Sequence, residues 1–194
     1  MEKAMGKIMT AAAETRAVAG TMTNFRWKIA FLIFLISFVA YMDRVNLSVA
    51  TPVIMQEFGF TKIDMGFIQT CFFASYALMQ VPGGILAEKF GMRKTGALAI
   101  LWWSVFTALT ALAKGKISFA AVRLAFGIGE GPVFPSLGAA TFTWFNKHEK
   151  GKASSSILLG TFFGPVVGPV ATVALMGLFG WHAVFIIFGL VGVA

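Results

Sequence analysis

Residues 84–94 read Gly84-Ile-Leu-Ala-Glu88-Lys89-Phe-Gly91-Met-Arg93-Lys94. The stretch closes one long apolar run, Met65–Ala87, and opens onto another, Thr95–Ala113. Each run is near the ~20 residues a helix needs to cross a bilayer. The link between them is short, basic and contains glycine. Two crossing lengths joined this way form a hairpin through a membrane, and this unit sets the reading of the rest of the chain.

Four more apolar stretches surround the hairpin. They run over Trp27–Met55, Ile117–Phe145 and Ala153–Phe179, and from Trp181 to the last residue, Ala194. Six spans are therefore expected, the sixth cut off after about 14 residues, short of the ~20 required. The fold class is all-α: a six-helix membrane bundle over residues 26–194, preceded by a polar tail, residues 1–25. Of the 194 residues 58% are hydrophobic and only 12% charged, more apolar surface than a soluble domain of this size can bury. The 21 glycines also suit closely packed membrane helices.

The net charge of +8 does not point to nucleic acid, because the basic residues sit in short links between apolar spans. Their distribution sets orientation instead. Lys3, Lys7, Arg16, Arg26 and Lys28 precede the first span, Lys89, Arg93 and Lys94 follow the second, and Lys147, Lys150 and Lys152 follow the fourth. The opposite side carries only Lys62, Lys114 and Lys116. The positive-inside bias puts the N-terminus in the cytoplasm. The tail lacks a charged segment followed directly by the apolar core and cleavage site of a secretory signal. Cys71 is the single cysteine, so no disulfide framework is expected. His148 and His182 lie near span boundaries with no metal-ligand spacing, and no cofactor is expected.

Four charges interrupt the apolar spans: Asp43 and Arg44 in the first, Arg123 and Glu130 in the fourth. A charge at bilayer depth is expensive, so such residues face a cavity, pair with one another and mark a substrate or ion path. At a rise of ~1.5 Å per residue, Arg44 and Arg123 come to a similar depth and Glu130 lies about 10 Å further inward. Arg123 and Glu130 are seven apart and share a helix face. Tyr41, Arg44 and Ser48 form a polar stripe on the first span, and Tyr76 and Gln80 are one turn apart on the second. Guanidinium forks bind carboxylates through two parallel bonds, while Tyr and Gln can bond hydroxyls. Burial raises the cost of ionising an acid and a nearby arginine lowers it, so Asp43 and Glu130 are the residues able to exchange a proton as the site changes exposure.

The 84–94 link resembles the signature G-x-x-x-D-[RK]-x-G-x-[RK]-[RK] of the major facilitator superfamily. It matches at Gly84, Lys89, Gly91, Arg93 and Lys94, with Glu88 where the family has Asp. The segments Tyr41-Met-Asp43-Arg44-Val-Asn46 and Arg123-Leu-Ala-Phe-Gly127-Ile-Gly129-Glu130-Gly131-Pro resemble that superfamily's anion:cation symporter branch. The resemblance covers residues from about Arg26 to the end. It implies the first half of a twelve-helix transporter in a bacterial inner membrane, with a second six-helix half as partner. It also implies a gating role for the 84–94 link and a substrate site built from Tyr41, Arg44, Asn46, Tyr76, Gln80 and Arg123. Thr161 joins this set because sugar-acid carriers often have a glutamine near its position.

Proton-coupled symport of an organic anion, a sugar acid or other carboxylate, is the leading expectation. A drug or cation:proton antiporter is the alternative, because Gly160-Thr-Phe-Phe-Gly164-Pro165-Val-Val-Gly168-Pro169 resembles an antiporter pattern. Two buried arginines oppose it. A non-transporting membrane protein is a third reading. No nucleophile–base or metal constellation points to an enzyme.

Overall fold

The computed structural model describes residues 25–193. The expected polar tail lies almost wholly outside the described residues. Every regular element is helical: α1 (Phe25–Phe58), α2 (Lys62–Phe90), α3 (Met92–Leu109), α4 (Lys116–Glu130), α5 (Val133–Trp144) and α6 (Lys150–Val193), with a 3-10 turn at Thr110–Leu112. Among the described residues five helical segments are long and apolar enough to cross a membrane, α4 and α5 counting as one. They are broken at Gly131-Pro132, where proline removes a backbone donor.

Of the six expected spans, the last cut short, the described residues show five membrane-length helical segments, with the expected fifth and sixth joined in α6. A continuous α6 of 44 residues would run roughly 66 Å, twice the thickness of a bilayer core. It does not, because Gly180 adopts φ 78°, ψ 166° inside it. Only glycine reaches that conformation readily, so the two helical segments meet there and the chain turns back. The packing records the reversal. Gly160, Gly164 and Thr172 lie successively against Ser37, Tyr41 and Asn46, ascending parallel to α1. Beyond Gly180, Trp181 meets Glu57, and Val184 and Phe188 join Met42, descending along α1. The helix described beyond Gly180 runs from Trp181 to Val193, roughly 20 Å.

The bundle is inverted relative to a soluble protein. Large apolar side chains such as Leu78, Phe162 and Val170 are more than two-thirds exposed, whereas Asp43, Asn46, Arg123, Glu130 and Thr172 are buried. Lipid can cover the former, and the charged groups face one another inside. Caps follow the sequence: Thr61 Oγ1 accepts from Asp64 N–H while the Asp64 carboxylate accepts from Thr61 N–H, closing a capping box at the start of α2.

Small residues let α1 and α6 touch. A Cβ at Gly164 would sit 2.7 Å from Tyr41 Cβ and 2.8 Å from the Phe38 carbonyl oxygen, which cannot yield. Gly164→Ala is therefore expected to destabilise the bundle by about 1–3 kcal/mol, the usual size of an overpacking penalty. Gly177→Ala, with open space around it, is the control and should unfold in detergent at the wild-type temperature or above. Equal melting temperatures for both variants would show that the α1–α6 contact is loose.

Candidate functional site

The buried charges form one cluster, but not with the partners their spacing suggested. Arg44 Nε donates to Glu130 Oε1 at 2.7 Å, joining α1 to α4. No ion pair links Asp43 to Arg44 or Arg123 to Glu130 among the described residues. The reason is helical geometry. Adjacent residues point about 100° apart, so Asp43 and Arg44 face different neighbours. Arg123 and Glu130 share a face, yet are separated by roughly 10 Å along the axis. Arg44 comes from a facing helix, and its long side chain reaches Glu130.

The Arg44 guanidinium sits among four aromatic rings. Its Cζ is 4.6 Å from the Tyr41 ring centre, 4.3 Å from Tyr76, 5.6 Å from Phe72 and 5.5 Å from Phe134. Ring faces stabilise a cation that has lost much of its water. Only Nε is used in the ion pair; Nη2 is buried without a hydrogen-bond partner, as is Glu130 Oε2. Tyr41 and Tyr76 thus lie beside Arg44. Gln80, one turn beyond Tyr76, is half-buried, and Ser48 is exposed.

Arg123 is 2% exposed and lies over Phe126 and Phe185, 5.1 and 5.6 Å from the ring centres. No carboxylate comes within ion-pair distance of it among the described residues, and its Nε has no hydrogen bond. Asp43 and Glu130 act on it electrostatically from longer range. Asp43, 1% exposed, receives a 3.4 Å hydrogen bond from Asn46 Nδ2 to its Oδ1, while its Oδ2 is unbonded. Trp103 and Thr107 of α3 face the same carboxylate, their Nε1 and Oγ1 also lacking partners.

Asn46 is fully buried, and its Oδ1 accepts from Thr172 Oγ1 at 2.6 Å. Thr161 bonds to its own helix, at the Leu158 carbonyl. The buried polar contact that α6 makes with α1 belongs to Thr172. The sequence reading missed Thr172, Trp103, Thr107 and the aromatic walls Phe72 and Phe134. Trp103 and Thr107 are one turn apart and could have been found as a polar stripe; Thr172 stands alone among apolar residues and gives no such signal.

The sequence model described as Major Facilitator Superfamily matches residues 33–194. The chain belongs to this superfamily. It is 34% identical over 185 residues to a Bacillus subtilis protein named "Probable galactarate/D-glucarate transporter GudP", covering 90% of this chain and 40% of that protein. It is 35% identical over 168 residues to the D-galactonate transporter of Escherichia coli O6:H1, covering 87% and 39%. The chain thus spans about two-fifths of the length of these relatives. The crystal structure of a bacterial homologue of the human lysosomal transporter Spinster, inward-facing and occupied, superposes with a TM-score of 0.76 at 21% identity, covering 88% of this chain and 43% of that one. That likeness establishes the fold. Five membrane-length apolar helices within this superfamily make the chain part of an integral membrane protein.

The superfamily's signature link joins α2 to α3. Gly91 turns the chain at φ 87°, a conformation suited to glycine. Gly84 packs near Pro135, and Glu88, Lys89, Arg93 and Lys94 are exposed. Glu88 makes no ion pair with the neighbouring basic residues among the described residues, so the acid is left facing outward.

Proposed function

We propose that the chain is the N-terminal half of a secondary transporter that moves an organic anion, a sugar acid or other carboxylate, together with a proton. The observation that carries this reading is Arg123: a buried guanidinium with no carboxylate in ion-pair range among the described residues. Beside it, Arg44 has an unused buried Nη2. A buried unpaired cation is unfavourable, and a bound anion completes it. The relatives named for galactarate, glucarate and galactonate support a carboxylate bearing hydroxyls, which Tyr41, Tyr76 and Gln80 can bond.

Charge balance supports proton coupling. With Asp43 and Glu130 ionised, the two arginines are neutralised. One proton on either acid leaves a single positive charge, which a monocarboxylate cancels. Proton and anion therefore favour each other's binding. Because Arg44 is the partner of Glu130, protonation of Glu130 releases Arg44 for the substrate. The glycines of the antiporter-like stretch pack against α1, so that pattern has a structural use and does not favour a cation.

Exposed Glu88 with Lys89, Arg93 and Lys94 suits a latch to a second helix bundle, and rocking of two bundles would give alternating access. The basic side of the links supports a cytoplasmic N-terminus, and the relatives from Bacillus subtilis and Escherichia coli support a bacterial inner membrane. The activity is transport, not catalysis. The test is uptake into proteoliposomes containing the full-length protein, across a panel of carboxylates, with and without an inward proton gradient. Gradient-stimulated uptake of a sugar acid supports the reading; uptake of cationic drugs in its place would sink it. Residues 1–194 alone are expected to bind the anion but show no saturable, gradient-driven uptake, because the site lies between two repeats in such carriers.

A further inference from the structure

We infer that Thr172 is a positioning residue for Asp43, acting through Asn46 in a three-membered hydrogen-bond chain that can reverse its direction when Asp43 takes up a proton. The inference rests on the reading of Asp43 as a proton-coupling acid. The chain runs from α6 to α1: Thr172 Oγ1 donates to Asn46 Oδ1, and Asn46 Nδ2 donates to Asp43 Oδ1. All three side chains are essentially inaccessible, at 0, 0 and 1% exposure. A buried polar group without a partner is costly, so this chain must stay satisfied in every state the site visits.

The donor inventory makes the roles unequal. A carboxylate only accepts; a carboxylic acid must donate its proton somewhere. An amide has one accepting and one donating end. Of the three, only a hydroxyl can donate and accept at one atom. With Asp43 ionised, the chain is as observed. With Asp43 protonated, its O–H donates to Asn46 Oδ1 once the amide turns over, and Asn46 Nδ2–H then donates to Thr172 Oγ1. One proton arrives from water and stays on Asp43; Asn46 and Thr172 each keep their own hydrogens. The hydroxyl of Thr172 is what allows both arrangements.

The other groups facing Asp43 do not substitute for it. Trp103 Nε1 on α3 only donates, and Thr107 Oγ1, which faces the carboxylate, has no hydrogen bond to Asn46. Arg123 and Glu130 on α4 act on Asp43 through charge alone, and Arg44 on its own helix is turned toward Glu130. Val184 and Phe188, from beyond Gly180, present apolar surface to the neighbouring Met42.

The experiment compares Thr172→Val with Thr172→Ser in the full-length protein in proteoliposomes. Proton-driven uptake of a sugar acid is measured against external pH, and substrate counterflow is measured at fixed pH. Valine preserves shape and removes the hydroxyl. It is expected to keep counterflow but to shift the pH midpoint of driven uptake by about one unit, the equivalent of roughly tenfold. Serine, which keeps the hydroxyl, is expected to restore the wild-type midpoint. A wild-type pH profile in the valine variant, or equal impairment by serine and valine, overturns the inference. Asp43→Asn separates the two layers. Lost coupling in Asp43→Asn with an unmoved profile in Thr172→Val sinks the positioning role alone. Intact coupling in Asp43→Asn sinks the reading of Asp43 as a coupler, and this inference with it.

Discussion

Replacing Arg123 by lysine is expected to weaken carboxylate binding roughly thirtyfold or more, since losing one partner of a desolvated charge pair costs about 2–5 kcal/mol. Lysine restores the charge but not the planar fork that gives two parallel bonds to a carboxylate. It also fits less well over Phe126 and Phe185, which now flank the guanidinium. Arg44→Lys should be similarly impaired, because its Nε bond to Glu130 and its place among four rings both depend on the guanidinium plane. Equilibrium binding or competition of uptake reads the effect directly. The amide of the substrate, being neutral, should not compete. Competition by the amide, or near-normal affinity in both lysine variants, would remove the organic-anion reading.

Glu130→Gln is expected to abolish uphill, pH-driven uptake while leaving counterflow intact. Glutamine keeps the shape of the protonated acid and cannot release a proton, so the variant is fixed in one member of the coupling cycle. In the wild type, raising pH removes the proton from Glu130, restores its charge pairing with Arg44 and disfavours the anion. In the variant Arg44 stays available, so the fall in anion affinity with rising pH should flatten. Proton-driven accumulation at the wild-type level in Glu130→Gln would exclude Glu130 from coupling.

These two expectations changed in detail between sequence and structure. The apolar runs, the basic links and the 84–94 signature determine the class of fold, because crossing a bilayer requires long helices whatever the tertiary context. Buried charges are equally legible: Asp43, Arg44, Arg123 and Glu130 stand out from any apolar background, and their cost implies a shared interior site. Their pairing is not legible. Sequence neighbours suggested Asp43 with Arg44 and Arg123 with Glu130, whereas the structure joins Arg44 to Glu130.

The sequence by itself therefore determined that this is a helical membrane bundle with a charged interior, since hydropathy and charge are properties of each segment alone. By spacing it set Tyr41 on the same helix face as Arg44, and Tyr76 one turn from Gln80 on the second span. Only the tertiary structure decided that Arg123 is left without a carboxylate in ion-pair range among the described residues, and that Thr172, not Thr161, reaches α1. The physical reason is the same in each case. Which polar atoms meet depends on the rotation and offset of one helix against another, set by close packing at Gly160 and Gly164, and no single segment contains that information.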